Sequence, residues 1–372
     1  MSVDLRAERL ARTMSAIGEA GLGGLLVTPG ANLGYLTGYA PMPLERLTVL
    51  ILAAGRDPVM IVPMLERPSA LASPAGEGID ILGWTDAENP YALTAGLLGG
   101  SDDRMAAGTF AISDDAWASH VLALERAAGD IELTPQGVAL PLIRAVKDPD
   151  ELQRLRAAAH GADAAFEEVV RLRFAGRREL DVAGDLARLL QDHGHELVGF
   201  TIVGSGPSSA SPHHDSGDRT IQEGDAVVMD FGGVAGGYWS DITRTVFVGD
   251  PTDEQRQVYD LVRGAQEVAF ATVRPGVACE EVDRAARAVI EEAGYGDRFI
   301  HRTGHGIGIE LHEPPYIVAG NTTPLEAGMT FSDEPGIYLP NRFGVRIEDQ
   351  IEVTYEGARR LNEAYRELRI VA

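Results

Sequence analysis

Apolar positions recur at helical spacing over residues 3–20, and the run Gly24-Leu25-Leu26-Val27-Thr28, closed by Pro29-Gly30, predicts a buried strand. Apolar runs at 47–53 and 58–62 flank Gly55-Arg56-Asp57 and read as a hairpin. Short strands at 79–82 and 109–112, then a helix over 116–127 closed by Gly129, complete a mixed helix and strand pattern. Pro135-Gln136-Gly137 interrupts that pattern. Asp148-Pro149-Asp150-Glu151 then opens a long amphipathic helix reaching to near residue 173, with an acid at the N-cap, proline at the first helical position and glutamate three residues after the cap. Two domains are expected: an α/β domain over 1–140 and a second over 147–372, with the boundary near 140–147. The second carries further helical patterns at 179–194, at 252–273 behind a Thr252/Gln255 capping box, and at 280–293. It reads as α+β, with curved antiparallel strands on the inside and helices outside. The order helix, helix, hairpin occurs twice, a weak sign of internal duplication.

Acids interrupt the apolar runs of this second half. Asp230 ends Ala226-Val227-Val228-Met229, and Asp241 sits in the alternating segment Tyr238-Trp239-Ser240-Asp241-Ile242-Thr243. Between them lies Gly232-Gly233-Val234-Ala235-Gly236-Gly237, a hairpin signal. With the tip at Ala235-Gly236, Asp230 and Asp241 face each other across the ladder. Glu334 and Glu348 are related in the same way about a tip near Asn341. Like charges opposed across strands are destabilising, so two such pairs need a counter-charge. Two divalent cations would neutralise four carboxylates, and buried unpaired carboxylates usually coordinate metal. His305, flanked by glycines in Thr303-Gly304-His305-Gly306, adds an imidazole that backbone and metal can approach closely. Each residue alone would more often be structural; the set in order is what points to a metal centre.

Composition removes other functions. The 372 residues are 45% hydrophobic and 24% charged, as in ordinary globular proteins, and the net charge is −24. No basic run supplies the footprint that nucleic acid or an anionic membrane requires. The single cysteine, Cys279, excludes an intrachain disulfide and a cysteine zinc site, and reads as a small buried residue. Residues 1–21 lack the continuous apolar core of a signal peptide, and 47–54 is too short to span a bilayer, so a cytoplasmic protein is expected.

Taken together, Asp230-Phe231-Gly232-Gly233, Ser240-Asp241-Ile242-Thr243-Arg244-Thr245, Thr303-Gly304-His305-Gly306-Ile307-Gly308, Glu334-Pro335-Gly336-Ile337-Tyr338 and Gly344-Val345-Arg346-Ile347-Glu348-Asp349 resemble the motifs of the "pita-bread" metallopeptidases. That family includes methionine aminopeptidase, aminopeptidase P and prolidase. Asn32-Leu33-Gly34-Tyr35-Leu36-Thr37-Gly38-Tyr39 and the linker from Ile143 to Leu152 resemble its proline-specific branch, whose members carry an extra N-terminal domain. The resemblance implies a pita-bread catalytic domain with two divalent ions, manganese before cobalt or zinc given the oxygen-rich ligands. Asp230 and Asp241 would hold one ion, and His305, Glu334 and a bridging Glu348 would complete the second. A bridging water would attack the scissile carbonyl, with Glu334 taking its proton. His213 matches the histidine that hydrogen-bonds the scissile carbonyl and His312 a second substrate-lining histidine, while His214 reads as structural. Tyr338 and Arg346 match supporting positions; two residues before Glu348 on a strand, Arg346 shares its face. A homodimer and a proline-containing di- or oligopeptide substrate are further implications.

Two features depart from the family pattern. Asp333 stands where an apolar residue is usual; alternation turns it away from Glu334, so it is not taken as a ligand and is expected to have a hydrogen-bonding partner. The loop from His312 to Glu326 contains no Arg or Lys to grip a dipeptide carboxylate, leaving Arg302, Arg342, Arg346 or a neighbouring subunit for that work. The leading expectation is an Xaa-Pro dipeptidase, with aminopeptidase P as the alternative. More remote is a metal-free creatinase-like or binding protein on the same fold.

Overall fold

A computed structural model describes residues 3–98 and 108–372, which fall into two compact units meeting at Arg144 and Ala145. In the first unit a six-stranded mixed sheet runs in the order Asp80–Trp84, Val59–Pro63, Val49–Ala53, Gly24–Val27, Gly108–Ile112, Ile131–Pro135. The expected hairpin is present, Val49 pairing antiparallel with Ile61. Leu26, Ile51, Ile61, Phe110, Ile112 and Leu124 fill its core. Short helices at Ala31–Thr37, Arg67–Ala72 and Pro90–Leu98 add to the two read from the sequence.

The second unit opens with the Pro149–Val169 helix. The Asp148 carboxylate accepts from the Glu151 amide while the Glu151 side chain accepts from the Asp148 amide. Thr252 and Gln255 form the same reciprocal cap on the Asp253–Thr272 helix. Helix pairs (Pro149–Val169 with Glu179–Asp192, Asp253–Thr272 with Cys279–Glu292) each precede strands, so the repeated order seen in the sequence persists in the fold. One sheet has the order Arg369–Val371, Tyr238–Val248, Ala226–Ala235, Leu197–Ser205. The other has the order Glu313–Ile317, Gly304–Gly306, Thr330–Asp333, Asp349–Val353, Ala358–Arg360. A bridge between Thr243 and Glu348 connects them, and the hairpin Gly336–Leu339/Phe343–Arg346 forms a separate two-stranded sheet. Val227, Met229, Phe231, Ile242 and Val246 pack against Phe166, Val182, Leu186 and Leu190 of the covering helices.

The first hairpin corrects one expectation. Its turn is Gly236-Gly237, with φ of 60° and 80°, one residue beyond the expected tip. Two successive left-handed residues make the type I′ turn that matches strand twist, and glycine pays no Cβ penalty there. Moving the tip by one residue shifts the register by two, so Asp230 faces Thr243 and Asp241 faces Gly232. A shift of two leaves every side chain on its face. The two acids therefore sit diagonally on one surface rather than directly opposed.

Candidate metal centre and substrate cavity

The second hairpin turns at Asn341, which takes φ 61°, and pairs Gly336 with Arg346. Continued toward the centre, that register faces Glu334 with Glu348, and there the ladder opens. The Glu334 amide donates to Thr303 and the Glu348 amide to Thr243, 2.8 and 3.0 Å. The two carboxylates thereby leave the regular hairpin and enter the space between the sheets. Glycine makes that approach possible beside His305, because a Cβ on Gly304 would collide with the Ser332 carbonyl.

Asp230, Asp241, His305, Glu334 and Glu348 all line one cavity of about 450 Å³. Ligand atoms of Asp241, His305 and Glu348 lie within 4.8 Å of one another, all three buried. The His305 Nε2 is 3.5 Å from Asp241 Oδ2 and 3.4 Å from Glu334 Oε1. Its Nδ1 lies 3.1 Å from the Gly306 carbonyl, which holds a proton on Nδ1 and turns the lone pair of Nε2 toward the acids.

Burial and the neighbouring carboxylates hold the Asp241 and Glu348 pKa values well above the usual carboxylate range. Burial pushes Glu334 up to about 7, with His305 and Arg346 opposing the rise. Burial lowers the His305 pKa, keeping a neutral imidazole beside the acids. Among the described residues Glu348 Oε1 and Asp230 Oδ1 are buried without a hydrogen-bond donor, although Thr243 serves Glu348 Oε2 and Arg346 serves Asp230 Oδ2. Orphaned acceptor oxygens in a crowded acidic site are what divalent cations would satisfy, so the residues fit a metal centre.

Arg346 ties the supporting residues together. It donates to Asp230 Oδ2 at 2.6 Å, Thr243 Oγ1 at 3.0 Å, Tyr338 Oη at 2.8 Å and the Pro212 carbonyl at 3.4 Å. Burial raises the Tyr338 pKa to about 12, so the phenol keeps its proton. That proton goes to His301 Nε2 at 2.8 Å, because His301 Nδ1 already faces the Arg302 carbonyl at 2.7 Å. His301 was not singled out in the sequence. Its one signal was position, two residues before the Thr303-Gly304-His305 motif.

His213 and His312 both line the cavity, the His312 ring 4.0 Å from that of His305. Partial burial, then His305, Arg302 and His213, lower the His312 pKa to about 4. His214 turns instead to the buried Glu179 at 2.7 Å. Among the described residues the Asp333 carboxylate has no hydrogen-bond partner, against expectation. It faces Asp349 across the ladder, whose own oxygens are taken by Arg244 and Gln266. Burial and Asp349 raise the Asp333 pKa well above the usual range, leaving a neutral acid. Arg302 lines the cavity, while Arg342 is exposed and paired with Glu254.

Residues 153–355 match the model of Metallopeptidase family M24, and residues 9–146 match the Creatinase/Prolidase N-terminal domain. The probable dipeptidase PepE of Mycobacterium tuberculosis is 45% identical over 370 residues, covering 99% of this chain and 97% of the relative. An Xaa-Pro dipeptidase of Lactobacillus helveticus is 36% identical over 347 residues, covering 91% and 92%. The crystal structure of dipeptidase PepE from Mycobacterium ulcerans superposes with a TM-score of 0.95 at 44% identity, covering 100% of this chain and 99% of that one. The chain thus belongs to metallopeptidase family M24, in its proline-specific pita-bread branch, and is a peptidase.

Proposed function

We propose that this peptidase is an Xaa-Pro dipeptidase that hydrolyses the peptide bond preceding proline. The observation that carries the reading is the convergence of Asp230, Asp241, Glu334, Glu348 and His305 on one cavity of about 450 Å³, a volume suited to a small peptide. These five would hold two divalent cations, manganese by the hardness of the oxygen ligands. When bound, the cations would supply Lewis-acid polarisation of the scissile carbonyl and make an attacking water more acidic. Glu334, on the cavity wall beside His305, accepts the proton of that water and returns it to the leaving proline nitrogen. His213 donates an imidazole N–H to the carbonyl oxygen as negative charge develops, with His312 on the same cavity wall orienting the substrate. Arg346 fixes Asp230 and, through Thr243, Glu348, while Tyr338 holds Arg346 in place. Neither tyrosine nor arginine needs to exchange a proton.

Relatives named as dipeptidases favour the dipeptide, while the loop from His312 to Glu326, lacking Arg and Lys, favours aminopeptidase P on longer peptides. The two are separated by comparing turnover of an Xaa-Pro dipeptide with that of an Xaa-Pro-Xaa tripeptide. The dipeptide is expected to be the better substrate; dominant tripeptide cleavage would reject the dipeptidase reading in favour of the alternative.

A further inference from the structure

We propose that Arg302 is the specificity-determining residue of this cavity, receiving the free C-terminal carboxylate of the dipeptide while Tyr316 holds its guanidinium in place. The inference rests on the dipeptidase reading and adds the group that would enforce it. Of the three arginines that could serve, Arg342 is exposed and engaged with Glu254. Arg346 is buried and already donates to Asp230, Thr243, Tyr338 and Pro212. Arg302 and Arg346 both line the cavity, and of the three only Arg302 has no carboxylate partner among the described residues.

Its placement is fixed from both sides. The guanidinium carbon sits 4.4 Å from the centroid of the Tyr316 ring, a stacking distance. Tyr316 pairs directly with His305 across the ladder, so its ring shares the face of the metal-centre imidazole. The Arg302 carbonyl faces His301 Nδ1 at 2.7 Å, and the next residue, Thr303, donates its amide and hydroxyl to the buried Asp283 at 3.1 and 2.7 Å. A guanidinium stacked through its face keeps its edge donors for two parallel bonds to a carboxylate. A lysine could not be held by Tyr316 in the same way.

The test compares an Xaa-Pro dipeptide with the same compound bearing a C-terminal amide, in metal-loaded wild type, Arg302→Met and Arg302→Lys. Losing a charge-assisted bidentate contact is expected to lower the dipeptide-to-amide ratio of kcat/KM by about 10- to 100-fold in Arg302→Met, carried by KM, with partial recovery in Arg302→Lys. Calorimetric binding of an uncleavable analogue, with CH2 in place of the scissile carbonyl, should weaken by a similar factor relative to its amide. Equal loss on both substrates, or a wild type indifferent to amidation, would overturn the assignment. If neither compound is hydrolysed by wild type, the dipeptidase reading fails; the calorimetric carboxylate-to-amide difference then still decides the role of Arg302.

Discussion

Glu334 shows what burial does to a single carboxyl. Enclosure in the cavity wall penalises its charged form and moves its pKa from the ordinary 4.5 to about 7. In metal-free protein the folded state therefore keeps a proton between those values that the unfolded chain has released. Stability from this group is present below about 4.5 and is lost as pH rises toward 7. Glu334→Gln carries the neutral form at every pH. Thermal melts of chelated wild type should therefore fall relative to Glu334→Gln as pH is raised from 4.5 to 7, and run parallel above it. A difference that stays flat or rises across that window would show that Glu334 is not buried as described. Most of the residues at the centre were legible in the sequence, because acids inside apolar strand patterns conflict with their surroundings. Asp333 shows the limit. Its alternation away from Glu334 was readable, but that it faces Asp349, with no donor left for it, depends on strand pairing that spacing alone does not reveal.

Among the elements, the hairpin from Ala226 to Val248 explains both a success and a miss. Its strands and its glycine-rich connection were plain in the sequence, yet four glycines competed for the turn. Gly232 and Gly233 lie within the strand, where a Cβ would strike the Ser240 and Leu197 carbonyls, so they serve close backbone approach. Gly236 and Gly237 take the left-handed conformations of the turn, and their amides are capped by the Glu196 carboxylate at 3.1 and 3.0 Å. Side-chain pattern cannot separate these two uses of glycine, which is why the tip was placed one residue early. The distinction is measurable. At φ 60°, Gly236→Ala should cost about 1 to 2 kcal/mol of stability, whereas Gly236→Asn, whose side chain tolerates that conformation, should cost less. Denaturant unfolding that ranks alanine as no worse than asparagine would contradict the turn assignment.

Across the whole molecule, the net charge is −24, and no described helix is long and apolar enough to cross a membrane. The two units carry separate sheets and cores, and every residue of the candidate metal centre belongs to the second. Short elements of the first unit, such as the Ala31–Thr37 helix, escaped the sequence because seven residues give too few turns for a helical period to register. The long capped helices of the second unit gave strong signals. The central claim is that this second unit carries out metal-dependent cleavage before proline. It is tested most directly by stripping the protein with chelator, confirming metal loss by elemental analysis, and following Xaa-Pro dipeptide hydrolysis as manganese is restored. Activity should vanish on stripping and return as about two ions bind per chain; hydrolysis that persists without metal, or none with both ions bound, would contradict it.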